Sequence, residues 1–90
     1  MNLRKHLNTE PRGEPLRLAA ALSCHPVMIT QWANATKKVP PARCPAIELA
    51  TAGRVTCEEM RPDITWARIK DAGWPNAAGR PLIDHAKAKA

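Results

Sequence analysis

Two apolar stripes of helical period flank a break at Ser23-Cys24-His25-Pro26, and this limits the fold more than any other feature of the chain. Leu18, Ala19 and Leu22 fall at i, i+1 and i+4 before the break. Ile29, Trp32 and Ala33 fall at i, i+3 and i+4 after it. Spacings of three and four place side chains on one face of a helix. Pro26 disfavours helical backbone at His25 and suits the first position of a new helix. The pattern predicts one helix from about Pro15 to Leu22 and a second from about Pro26 to Asn34. Two short helices joined by a turn of three or four residues form a helix-turn-helix unit. The crossing requires a small residue on the first helix, and Ala19 is in that place, with Ile29 filling the angle. The turn requires one residue at positive φ, where glycine is usual, and here that position falls on Ser23.

The remaining chain reads as further short helices. Asn2 is placed to cap a first helix carrying Leu3 and Leu7. Thr9–Pro15 holds Pro11, Gly13 and Pro15 and reads as a loop. Ala35–Pro41 is a second loop, ended by Pro40-Pro41. Residues 42–52 predict a helix with Ile47, Leu49 and Ala50 as its apolar face and Gly53 as its stop. Thr56 and Glu59 have the spacing of a capping box and open a short turn that Arg61-Pro62 closes. Asp63–Lys70 reads as one more short helix, holding Trp66 and Ile69. The expected architecture is all-α, with about five short helices in one domain over residues 1–70. A partly disordered tail is expected over residues 71–90.

Composition narrows the function. The chain has 90 residues with no Phe and no Tyr, so Leu, Ile, Val, Met and Ala must form the core. That argues against a β-sandwich or barrel and for helices. Three cysteines, Cys24, Cys44 and Cys57, form no C-x-x-C pair, which speaks against a zinc ribbon. They read as reduced thiols in a cytoplasmic protein, with no signal peptide and no membrane-spanning run ahead of them. No glycine-rich phosphate loop, no metal-ligand spacing and no small-molecule site is legible, and neighbours such as Cys24-His25 do not make a catalytic dyad. The expectation is a protein that is not an enzyme and has no cofactor and no metal.

The formal net charge is +6, and most of the surplus lies before Val39. Such a surplus suits a polyanion. The second helix of a helix-turn-helix unit enters the DNA major groove, and residues near its N-terminus reach base edges. Here these are His25, Pro26, Val27, Thr30 and Gln31, with Asn34 near the far end. Gln31 donates and accepts together, as adenine N6 and N7 require. Val27 offers a methyl contact to thymine. Arg17, Lys37 and Lys38 are placed for phosphate contacts, along with backbone N–H groups at the helix N-termini.

Residues 18–33 resemble the Cro-type helix-turn-helix proteins of phages. More narrowly, Val39-Pro40-Pro41-Ala42-Arg43-Cys44-Pro45-Ala46-Ile47-Glu48 and Val55-Thr56-Cys57-Glu58-Glu59-Met60-Arg61-Pro62-Asp63 resemble the YdaS-type members of that superfamily, over about residues 2–70. The resemblance implies a sequence-specific transcriptional regulator of phage or prophage origin. Its expected partners are a double-stranded DNA operator and a second copy of itself. The family's base-reading positions fall on His25, Pro26, Val27, Thr30 and Gln31, with Asn34 at the helix end. Some members are described as toxin-like. The alternative is therefore a protein-interaction module, such as a toxin–antitoxin component or host-factor inhibitor, using apolar surface around Trp66, Ile69 and Trp74.

Overall fold

The computed structural model describes residues 2–83. Its α-helices are α1 (Leu3–Thr9), α2 (Glu14–Leu22), α3 (Pro26–Ala33), α4 (Cys44–Ala50) and α5 (Cys57–Met60). A 3-10 turn at Pro41–Arg43 leads into α4, and strands β1 (Trp66–Ile69) and β2 (Arg80–Ile83) follow α5.

Local chemistry sets most of the helix ends. Asn2 caps α1, its side chain accepting from Lys5 N–H at 2.8 Å. Pro15 and Pro45 lie in the first turns of α2 and α4, where a missing N–H costs little. Thr56 and Glu59 form the full capping box on α5. Ala52 and Gly53 both take positive φ after α4.

The core forms where α2, α3 and α4 meet. Leu18, Ile29, Ile47, Val55, Cys44 and Cys57 are fully buried, with Leu3, Ala19, Leu22, Trp32 and Val39 nearly so. The three thiols are free. Burial pushes Cys44 up to about 11, so it behaves as a small apolar side chain.

On α4 the buried face differs from the expected one. Leu49 is exposed, whereas Cys44, Ile47, Glu48 and Thr51 turn inward at i, i+3, i+4 and i+7. An apolar count cannot place a carboxylate in a core, because burial of an unpaired charge is costly. Glu48 is tolerated because four groups donate to it. They are Cys57 N–H (3.0 Å), both Arg68 terminal nitrogens (2.7 Å for Nη2) and Trp74 Nε1 (2.6 Å).

Those donors explain the largest departure from an all-α fold. Asp63–Lys70 is not a helix; its centre is β1, paired antiparallel with β2 in the register Trp66↔Ile83, Ala67↔Leu82, Arg68↔Pro81 and Ile69↔Arg80. Period-two alternation puts Arg68 and Pro81 on the covered face and Ile69 and Leu82 on the exposed one. The described part of the expected tail, residues 71–83, is therefore folded onto the domain. Residues 84–90 lie outside the described residues. Gly79 makes the close approach possible: its φ is +102°, and a Cβ there would lie 2.2 Å from the Ile69 carbonyl oxygen. Pro81 lacks a ladder donor, which an edge strand accommodates.

Candidate nucleic-acid interface

The turn between α2 and α3 orients the candidate reading helix. Ser23 takes φ 54° and ψ 46°, the left-handed conformation expected at this position. Cys24 N–H reaches back to the Ala19 carbonyl at 2.9 Å, and Arg43 donates to the Leu22 carbonyl, so the end of α2 is closed by both backbone and side chain. Ala19 and Ile29 are both buried at this junction. With Ile29 and Trp32 fixed inward, the opposite side of α3 faces solvent.

The six candidate base-reading residues divide into three kinds. Val27 and Thr30 are exposed, Val27 to 50%, and neither side chain has a polar partner among the described residues. Pro26 and Gln31 are half-buried. His25 and Asn34 are exposed but engaged. His25 Nδ1 accepts from Val27 N–H at 3.3 Å and caps α3. A ring nitrogen that accepts leaves the proton of a neutral imidazole on Nε2. Asn34 Oδ1 accepts from Arg4 of α1.

The N-terminus of α3 is less open to phosphate than the sequence suggests. Pro26 has no N–H, the Val27 N–H is held by His25, and the Met28 N–H bonds to the His25 carbonyl at 3.0 Å.

The cations also divide. Lys37 and Lys38 are exposed in the loop after α3; Lys38 lies 3.8 Å from Asp63, and Lys37 forms no ion pair among the described residues. Arg17, a candidate phosphate contact, is committed inside the fold. It donates twice to Glu14 at 2.6 Å and once to the Ala50 carbonyl at 2.9 Å, tying α2 to the end of α4. Sequence reasoning missed Arg4, because the contact that brings it to α3 spans 30 positions.

Behind α2 lies a buried polar group. His6 Nε2 and Glu14 Oε2 are 2.5 Å apart, and both side chains are buried. Arg17 hydrogen bonding holds Glu14 down to about 2; burial opposes this, and His6 adds to it. The ionised carboxylate only accepts, so Nε2 donates. His6, Glu10 and Glu14 offer ligand atoms within 4.8 Å of one another. Their charge is already compensated, by Arg17 on Glu14 and by Arg54 on Glu10, and the cluster works as a clamp joining α1, α2 and the loop after α4.

No helix among the described residues is long and apolar enough to cross a membrane. The profile of the family described as "Bacterial toxin YdaS" matches residues 9–69. The chain belongs to the YdaS family. That match runs from the end of α1 through β1 and stops short of β2. The chain is also 45% identical over 58 residues to YdaS of Escherichia coli (strain K12), named as a candidate transcriptional regulator. That alignment spans 64% of this chain and 59% of the relative. The matched segment holds the Ser23 turn, the His25 cap and the Thr56–Glu59 capping box, but neither the Asn2 cap nor Gly79.

Proposed function

We propose that this YdaS-family chain is a transcriptional regulator that binds operator DNA in a sequence-specific way, as a Cro-like repressor of phage or prophage origin. The reading is carried by the Ser23 turn, which presents Val27 and Thr30 on the free face of α3 while Ile29 and Trp32 anchor its other face. The 45% identity to a relative named as a candidate transcriptional regulator supports it. In this reading α3 lies in the major groove, with Val27, Thr30 and Gln31 at base edges and His25, Pro26 and Asn34 at the ends of the contact. Lys37, Lys38 and the remaining Arg4 donors hold phosphates; Arg17 positions α2 instead. The protein acts in the bacterial cytoplasm as a homodimer on a two-fold operator, and it is not an enzyme.

Selection of bound sequences from random duplex DNA, with affinities measured at two salt concentrations, tests this. A two-fold motif with half-sites about one helical turn apart supports it. Salt-sensitive binding without sequence preference leaves only a basic domain, and no binding at low salt overturns it.

A second reading, a protein-interaction module in a toxin–antitoxin system, is favoured by the family's description and by exposed Ile69 and Leu82 on the hairpin. Trp66 and Trp74 are half-buried and offer less of that surface. Trp66 packs on the core and donates to the Arg61 carbonyl at 3.1 Å, and the Trp74 N–H is held by Glu48. A stoichiometric partner bound by a chain lacking DNA affinity would favour this reading.

A further inference from the structure

We propose that the cavity between α1, the loop after α3, and α5 binds a small amphipathic monocarboxylate. The cavity encloses about 260 Å³. That lies just below the ~300 Å³ at which pockets begin to take drug-sized molecules, so it suits a smaller ligand. Its floor is apolar: Leu3, Trp32, Val39 and Met60. Its rim carries three cations, Arg4, Lys37 and Lys38, against one carboxylate, Glu59. Lys38 is shared with Asp63, but neither Arg4 nor Lys37 forms an ion pair among the described residues, so the rim favours a negative ligand, and the apolar floor favours one with a hydrocarbon or aromatic body.

Trp32, which lines the cavity, also carries an unused donor. Trp32 is only 7% exposed, and its indole N–H has no acceptor among the described residues. Among those residues the only sealed polar side-chain atom without a partner is His6 Nδ1, so the Trp32 nitrogen keeps contact with solvent. Trp32 meets open space where it lines the cavity. Water is then its partner in the free chain, and a ligand would have to supply a stronger one. A carboxylate oxygen supplies one, and the charge assists the bond. Its second oxygen meets Lys37 or the Arg4 donors that Asn34 leaves unused, since a guanidinium has five. The body then covers Leu3, Val39 and Met60. The residues come from three separated segments, and for that reason no sequence motif marks the site. The inference is argued from the cavity and not from the DNA reading, with which it shares Lys37 and Arg4.

The test is a titration of the 15N-labelled full chain with phenylacetate and octanoate, following the indole N–H signals of Trp32, Trp66 and Trp74. Phenylacetamide and inorganic phosphate serve as controls. The expected result is a saturable shift at Trp32, with Trp66 and Trp74 unmoved. Lys37→Ala should weaken binding roughly two- to fivefold, as for an exposed ion pair. Trp32→Phe should weaken it by about tenfold or more, as for a lost bond to a charged acceptor. Met60→Glu places a second carboxylate in the cavity and should abolish binding even if Trp32→Phe fails to fold. Equal affinity for the amide, equal shifts with phosphate, or no saturable shift overturns the proposal.

Discussion

The Arg68 guanidinium donates to the fully buried Glu48 carboxylate, at 2.7 Å from Nη2 to Oε1, across 20 positions of sequence. Burial pushes Glu48 up, but hydrogen bonds from Arg68, Trp74 and the Cys57 N–H outweigh it and hold the carboxyl below its ordinary value. Arg68 also donates to Glu58 at 2.6 Å and to the Gly79 carbonyl at 2.8 Å. Arg68 thus joins α4, α5, β1 and the residue that leads into β2. Removing one partner of the Arg68–Glu48 pair strands a buried charge. Arg68→Ala should cost about 3–5 kcal/mol in urea unfolding. The double substitution Glu48→Leu, Arg68→Met should recover most of that loss, because no charge is then left unpaired.

The hairpin depends on Gly79. A Cβ at this residue collides with the Ile69 carbonyl, and its positive φ is strained for any other residue. Gly79→Ala should therefore release the strands, at a cost of about 1–3 kcal/mol. Amide exchange is the measurement: Trp66–Ile69 should lose protection while the interior of α2 and α3 keeps it.

Stability should fall in acid. Glu14 sits at about 2 in the folded chain against an ordinary value of 4.5. A depressed carboxyl contributes its stability in full above the unfolded value and loses it as pH falls through the folded one. The window is therefore from about 4.5 down to about 2, and the loss is up to about 3 kcal/mol. Glu48 is shifted in the same direction and acts with the same sign. Thermal unfolding between pH 6 and pH 2 checks this, and Glu14→Gln should flatten the curve.

Ser23 carries a left-handed conformation without being glycine. That geometry costs an L-residue roughly 1–2 kcal/mol, and glycine recovers part of it at the expense of extra freedom in the unfolded chain. Ser23→Gly should raise stability by about 0.5–1 kcal/mol, read as a higher urea midpoint. An unchanged or lower midpoint would show that the turn is relaxed with serine.

On operator DNA, Thr30→Ala and Gln31→Ala should relax base preference at single positions, each costing about 1–3 kcal/mol. Lys37→Ala should weaken binding to all sequences alike and reduce the salt slope by roughly one unit. Arg17→Ala should leave that slope unchanged and lower stability instead, since its donors go to Glu14 and Ala50. These contrasts separate contact residues from the residue that holds α2 in place.

By itself, the sequence determined the helical half of the protein. The stripes on either side of Pro26, the Asn2 cap, the Thr56–Glu59 box and the left-handed Ser23 are all local: each depends on residues within about four positions, and the structure contains all of them. Tertiary structure decided the rest. Leu49 faces out and Glu48 faces in because the donors that make a buried carboxylate tolerable lie 9, 20 and 26 positions away. Residues 66–69 form a strand because their partner lies beyond Gly79, and a two-stranded pairing has no signal within its first strand. At the candidate interface, the exposed face of α3 was legible from its period. The commitment of Arg17, the reach of Arg4 to Asn34 and the cavity beneath Trp32 were not. Each requires side chains from separate segments to meet, and only the packed chain brings them together.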